Sequence, residues 1–203
     1  IQDSKRLMNL LDVIKYMGES HPVQNSVSLV RTADVFLPVD KAAVRKNGAV
    51  PSSIPDSLIV DQVKFRLPGR YLQKDDIALM DILATNAANG WSRPIYFAVT
   101  VRSEKIGGLK DYLQMEGMAL RVVPIKTPSN GGFGGAMMMG RVEVDTMYRN
   151  MMENFKWGGF DKHKLFVDES YAPSIQTQQF AFMRLANELR INGDNDRTVK
   201  VLD

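Results

Sequence analysis

The sequence predicts an α/β fold: a layered mixed sheet of about four or more strands with flanking helices, closed by a C-terminal helical hairpin. Three observations predict it. Between residues 33 and 125, strand-like and helix-like segments alternate, as expected of helices layered on a sheet. Residues 59–67 alternate apolar and polar side chains at the period of a half-covered strand. Residues 176–203 carry helical spacing. With 203 residues, 44% hydrophobic and 24% charged, the chain has ordinary globular composition and enough length for a real core.

The elements follow in order. Residues 4–17 read as an amphipathic helix: Leu7, Leu10, Leu11, Ile14 and Met17 recur at helical spacing, Asp3 or Ser4 can cap, and Gly18 stops it. Residues 33–39 (ADVFLPV) read as a strand that ends at Pro38 or lies at an edge. Residues 40–45 form a short helix, closed by Asn47 and Gly48, and 50–57 a loop. In 59–67, Ile59, Val63, Phe65 and Leu67 point one way and Val60, Gln62, Lys64 and Arg66 the other. Residues 75–86 are the clearest helix, with Asp75 and Asp76 suited to its positive N-terminal end. Residues 95–101 (IYFAVTV) are a nearly unbroken apolar run, the expectation for a central strand covered on both faces. A short helix near 109–113 and a strand over 118–125 follow, then a Thr/Pro/Ser/Gly loop over 126–140. Residues 146–155 and 176–191 read as helices. This gives an N-terminal helix over 1–20, an α/β domain over 21–145 and a helical C-terminal segment over 146–203.

Composition narrows the chemistry. The net charge is +3, from 26 Lys plus Arg against 23 Asp plus Glu. The basic residues stand singly or in pairs, such as Lys5 with Arg6 and Arg45 with Lys46, not in the stripe a nucleic-acid binder concentrates, so no nucleic-acid partner is expected. There is no cysteine, hence no disulfide, thiolate zinc site or cysteine nucleophile. The two histidines, His21 and His163, are far apart, which argues against a histidine-rich metal site. No apolar run approaches the roughly 20 residues of a spanning helix, and no signal peptide is visible. The chain opens on Ile1 and closes inside a helical pattern, so both ends read as boundaries within a longer protein that carries any anchor elsewhere.

Several segments invite a functional reading and each has a plainer one. The run GGFGGAMMMG over 131–140 lacks the Lys-Ser/Thr of a phosphate loop and reads as a flexible surface loop. Its methionines, Met137, Met138 and Met139, line an adaptable apolar groove or fill a crevice. Glu116, Glu143 and Asp145 could pair for acid–base work, but solvation or ion pairing is the ordinary fate of such groups. The densest mix of aromatic and polar residues is Trp91, Arg93, Pro94 and Tyr96 before the 95–101 strand, with Tyr112, Gln114, Glu116 and Arg121 around the next. Aromatic faces beside Arg, Gln and Glu suit a sugar or peptide cleft; the alternative is a Trp plug over the sheet end and an Arg–Glu pair fixing a loop. Trp91, Arg93, Tyr96, Tyr112, Gln114, Glu116 and Arg121 are the candidate binding residues. If the two strands are parallel neighbours, both loops lie at one end of the sheet and Arg93 pairs with Glu116. No catalytic residue, metal ligand or cofactor is nominated.

Toward the end, Leu185, Ala186, Leu189, Gly193 and Leu202 fall at spacings close to a tetratricopeptide repeat, with Thr198 where the repeat has Ala; an ordinary helical hairpin fits nearly as well. Two antiparallel helices are expected, with Val199 and Leu202 left uncovered.

Several strings together resemble a known family: FLPVDKAAVRKNGAVP (36–51), DILATNAANGWSRPIYFAVTV (81–101), GLKDYLQMEGMALRVVPIKTP (108–128), RVEVDTMYRNMMENFKWGGF (141–160) and RLANELRINGDNDRTVKVLD (184–203). They resemble the C-terminal soluble region of Bacteroidetes multi-pass membrane proteins. The transmembrane half of those proteins is similar to GT-C glycosyltransferases of the protein O-mannosyltransferase kind, and the soluble part runs on into tetratricopeptide-like helices. The Ala-Ala-Asn-Gly before Trp91 is a departure, since the family carries a shorter link there. The resemblance implies a non-catalytic accessory domain at the periplasmic face of the inner membrane. It would work beside the membrane half, binding or positioning an acceptor polypeptide or glycan, or docking a protein partner through its C-terminal helices. It transfers no residue role, because the family's catalytic acid and donor site belong to the membrane half. Two rivals remain: a structural connector between membrane half and helical repeats, and, last, an independent hydrolase, for which no nucleophile, base or metal set is recognisable.

Overall fold

A computed structural model describes residues 6–20, 30, 32–67, 71–127, 138–159, 162–164, 166 and 168–203. Within them the fold is mixed α/β, with two sheets, seven α-helices and a C-terminal helical pair.

The first sheet has the order β1-β2-β3. β1 (Met8–Asn9) runs parallel to β2 (Asp34–Pro38), and β3 (Gln62–Arg66) runs antiparallel to β2. Helix α1 (Leu10–Gly18) starts where Asn9 Oδ1 accepts the Leu11 N–H at 3.0 Å. The expected start near residue 4 is therefore corrected. Met8 and Asn9 are engaged in a strand ladder and Leu7 is exposed, so the apolar spacing that includes Leu7 overreaches the helix. Asp3 and Ser4, the anticipated caps, lie outside the described residues, as do His21 and most of the 131–140 run.

Pro38 ends β2 as anticipated. The Val39 N–H bonds Asp61 C=O on the β3 side, so the Pro38 nitrogen faces the other side, beyond the end of β1, where no ladder bond is lost. Asp40 then caps α2 (Lys41–Lys46) through Ala42 and Ala43 N–H at 2.9 and 3.1 Å. In β3 the alternation read from sequence holds: Val63 is fully buried while Lys64 and Arg66 are exposed. Helix α3 (Lys74–Ala88) is fixed at its start by Asp76, which accepts the Gln73 N–H at 2.9 Å. It stops at Gly90 and Trp91, both with positive φ (66° and 58°), where the Trp91 N–H reaches back to Asn86 C=O at 2.8 Å.

The second sheet has the order β4-β6-β5-β7. β4 (Tyr96–Ala98) and β5 (Leu113–Met115) each pair antiparallel with β6 (Ala119–Val122), and β7 (Arg141–Val142) joins β5 in parallel. Here the sequence reading fails. Residues 95–101 are an edge strand of only three ladder residues, with Tyr96 and Ala98 exposed and Phe97 and Val99 buried. The apolar run is continuous in composition, yet only alternate positions face the core, and a turn from Val99 to Val101 ends pairing. α4 (Ser103–Ile106) and a 3-10 turn over Gly107–Tyr112 lead into β5.

The sheets meet where Val60 N–H donates to Pro124 C=O at 3.0 Å and Ile59 bridges Ile125. One apolar cluster runs through both, including Leu10, Leu37, Leu83, Ile106, Leu120 and Leu185. α5 (Val144–Tyr148), capped by Glu143, passes into a π-helical turn over Arg149–Asn154, in place of the single helix expected over 146–155. α6 (Ala172–Ile191) buries Ala181, Leu185, Ala186 and Leu189 along one stripe, and α7 (Asn195–Leu202) packs on it after a turn at Gly193 (φ 78°). Val199 and Leu202 are exposed, as expected, while Val201 makes the buried contact.

Candidate functional site

Register on the second sheet aligns one polar row across all four strands. Tyr96 on β4 lies opposite Arg121 on β6, Arg121 opposite Gln114 on β5, and Gln114 opposite Arg141 on β7. Directly paired residues project to the same face, so these four side chains line up. The adjacent row, Phe97, Leu120, Met115 and Val142, projects oppositely and is buried in the core. Strand period alone thus gives the sheet one apolar and one polar face.

Glu116 joins the polar face because it follows Gln114 by two residues. The β5–β6 hairpin turns immediately after it, at Gly117, where φ is 119° and a Cβ would meet the Phe155 ring at 3.0 Å. Glu116 is only 7% exposed. Tyr96 Oη donates to its Oε2 at 2.6 Å, Gln114 Nε2 donates to its Oε1 at 2.6 Å, and Arg121 Nη1 lies 3.5 Å from Oε1. Its backbone carbonyl accepts from Asn150 Nδ2 at 2.7 Å. Arg141 Nη1 donates to Gln114 Oε1, which fixes the orientation of that amide, and Arg121 Nη2 reaches Gly48 C=O at 3.1 Å. Gln114, with no exposure at all, is held at both ends.

Burial, then the hydrogen bond to Glu116 and its charge, push the Tyr96 hydroxyl up to about 12, so it is a firm donor at neutral pH. Burial also pulls Arg141 down, opposed by Glu143, Glu188 and Glu116. Both Glu116 oxygens already hold donors, which leaves that carboxylate poorly placed as a general base. What faces outward is the half-exposed Tyr96 ring, exposed Ala98 and the edge of Arg121. Among the described residues no group of three His, Asp or Glu side chains is placed to hold a metal ion.

Of the seven candidate residues, the structure brings together Tyr96, Gln114, Glu116 and Arg121. The others lie elsewhere. Trp91 is 3% exposed and donates Nε1–H to Pro38 C=O at 3.2 Å, plugging the end of the first sheet. Tyr112 is buried and its hydroxyl accepts the Lys64 N–H at 3.2 Å, sealing the edge of β3. Arg93 is exposed. The anticipated Arg93–Glu116 ion pair is replaced by Arg121–Glu116, because the strands run antiparallel: residue 121 lands opposite 96 and 114. Sequence reasoning passed over Arg141, whose β7 is too short to show a period. It also passed over Arg184, which donates to Met139 and Gly140 C=O at 3.0 Å each and ties α6 to the sheet. A lone arginine on a helix carries no signal that would have found it.

Comparison with known proteins gives one family. The sequence matches the family described as TMEM260-associated domain 2 over residues 1–146. No curated protein and no solved structure matches the chain.

Proposed function

The chain belongs to the TMEM260-associated domain 2 family, an accessory domain of a membrane protein, and from that premise we propose that it binds or positions the substrate of its membrane-bound parent. The parent in this reading is a glycosyltransferase-like membrane enzyme of the GT-C, protein O-mannosyltransferase-like kind. The domain stands on its extracytoplasmic side, in bacteria the periplasmic face, and takes an acceptor polypeptide or glycan. The helices α6 and α7 open a tetratricopeptide-like array that docks a protein partner. The observation carrying the binding role is the Tyr96–Arg121–Gln114–Arg141 row locked around Glu116. Such a network fixes an aromatic face and a guanidinium in one geometry before any ligand arrives, which lowers the ordering cost of binding.

A second reading has its own observation. The side-chain donors to Glu116 among the described residues, Tyr96, Gln114 and Arg121, all belong to the sheet itself, and Gln114 is sealed from solvent, which is also how a rigid connector would be built. Arg121→Ala and Tyr96→Phe in the full-length parent separate the two. Lost acceptor modification with an unchanged melting temperature supports binding. A lowered melting temperature, with modification intact in the protein that remains folded, supports the connector and removes the binding role.

A further inference from the structure

Among the described residues β4 has a neighbouring strand on one side only. Val122 N–H donates to Ile95 C=O at 2.9 Å and Val99 N–H to Met118 C=O at 3.4 Å, so residues 95, 97 and 99 turn their backbone groups toward β6. Those of Tyr96 and Ala98 therefore turn outward. The Ala98 carbonyl is taken by Val101 N–H at 3.0 Å. The Tyr96 N–H and C=O and the Ala98 N–H remain, with no backbone partner among the described residues. Both residues are exposed, so this edge is open to solvent. A donor and acceptor on one residue, with a donor two residues on, is the pattern an added antiparallel strand completes.

The ends of this edge are cationic. Arg93 lies three residues before Tyr96 and Arg102 four after Ala98; both are exposed, and neither side chain has a hydrogen-bond or ion-pair partner among the described residues. The acid next in sequence is Glu104 on α4. Side chains of a strand added here would alternate, with every second one beside the Tyr96 ring and the outer ones within reach of the two arginines.

We propose that an extended, acidic polypeptide segment binds by adding a strand to the free edge of β4, through the backbone of Tyr96 and Ala98 and the charges of Arg93 and Arg102. This rests on the binding role above and names its ligand as polypeptide. About three ladder bonds make the contact weak and reversible, as suits a passing acceptor or a regulatory tail.

The test uses the 203-residue protein and a synthetic peptide alternating glutamate and valine. The peptide should slow amide exchange at Tyr96 and Ala98 and leave Phe97 and Val99, already in the ladder, unchanged. Ala98→Pro deletes an outward N–H and no bond to β6, and should weaken binding about tenfold or more. Should Ala98→Pro fail to fold, the exposed pair Arg93→Glu with Arg102→Glu provides the second arm, with binding weakened and its salt dependence reduced. No binding, protection at other amides, or full affinity in both variants would overturn the proposal. If it falls while Arg121→Ala still abolishes acceptor modification in the parent at unchanged melting temperature, the domain binds its ligand by the sheet face alone.

Discussion

Tyr96 donates its hydroxyl proton to Glu116 Oε2 at 2.6 Å, joining an edge strand to a hairpin turn two strands away. The bond places a titratable phenol beside a carboxylate, and this has a consequence at high pH. An unfolded tyrosine titrates near 10. In the fold Tyr96 is raised to about 12, so its neutral form is favoured. Its contribution to stability is fully present below pH about 10 and is lost as pH rises through about 12. Tyr96→Phe should flatten the fall in stability over that window. Tyrosinate absorbance of the two proteins should coincide below about pH 11 and differ above it by one late-titrating phenol; a full phenol's difference already present near pH 10 would sink the assignment.

Glu116 is the centre of the network, so truncation and neutralisation should differ. Glu116→Ala leaves Arg121 and the amide of Gln114 facing an emptied site and should cost about 3 kcal/mol. Glu116→Gln keeps the shape and one acceptor and should cost about half as much. Urea unfolding of both variants measures this; equal losses would mean that charge alone, with no share from packing, holds the site.

Gly140 sits at φ 69° with its α-carbon against the Leu113 backbone, so an added Cβ collides with the Leu113 carbonyl. Gly140→Ala should destabilise by about 2 kcal/mol or more, combining strain with a displaced β5–β7 contact. Gly18→Ala is the control, because a Cβ there meets nothing within 4 Å. Thermal melts of the two variants should separate clearly.

Trp91 fills the end of the first sheet, so Trp91→Ala should cost about 3–5 kcal/mol through the lost ring and its bond to Pro38. On the function proposed above, the full-length parent carrying Trp91→Ala should still support acceptor modification in the fraction that folds. Loss of that modification at native stability would put Trp91 in the binding surface instead.

The local elements are legible in the chain alone. The 40–45 run closed by Asn47 and Gly48 announces α2, the alternation around Val63 announces β3, and the helical spacing of Leu185, Ala186 and Leu189 announces α6. Each is a matter of period and capping within one stretch of chain, where every interacting partner is a few residues away. Tyr96, Gln114, Glu116 and Arg121 stood out by their chemistry for the same local reason. Which of them meet was decided only by tertiary structure. Strand direction put Arg121, not Arg93, beside Glu116, and strand order left 95–101 at an edge, although its composition suits a sheet centre. Those outcomes depend on pairing among segments tens of residues apart. Local preference is silent there, because the energy of a sheet lies in cross-strand contacts that no single segment contains.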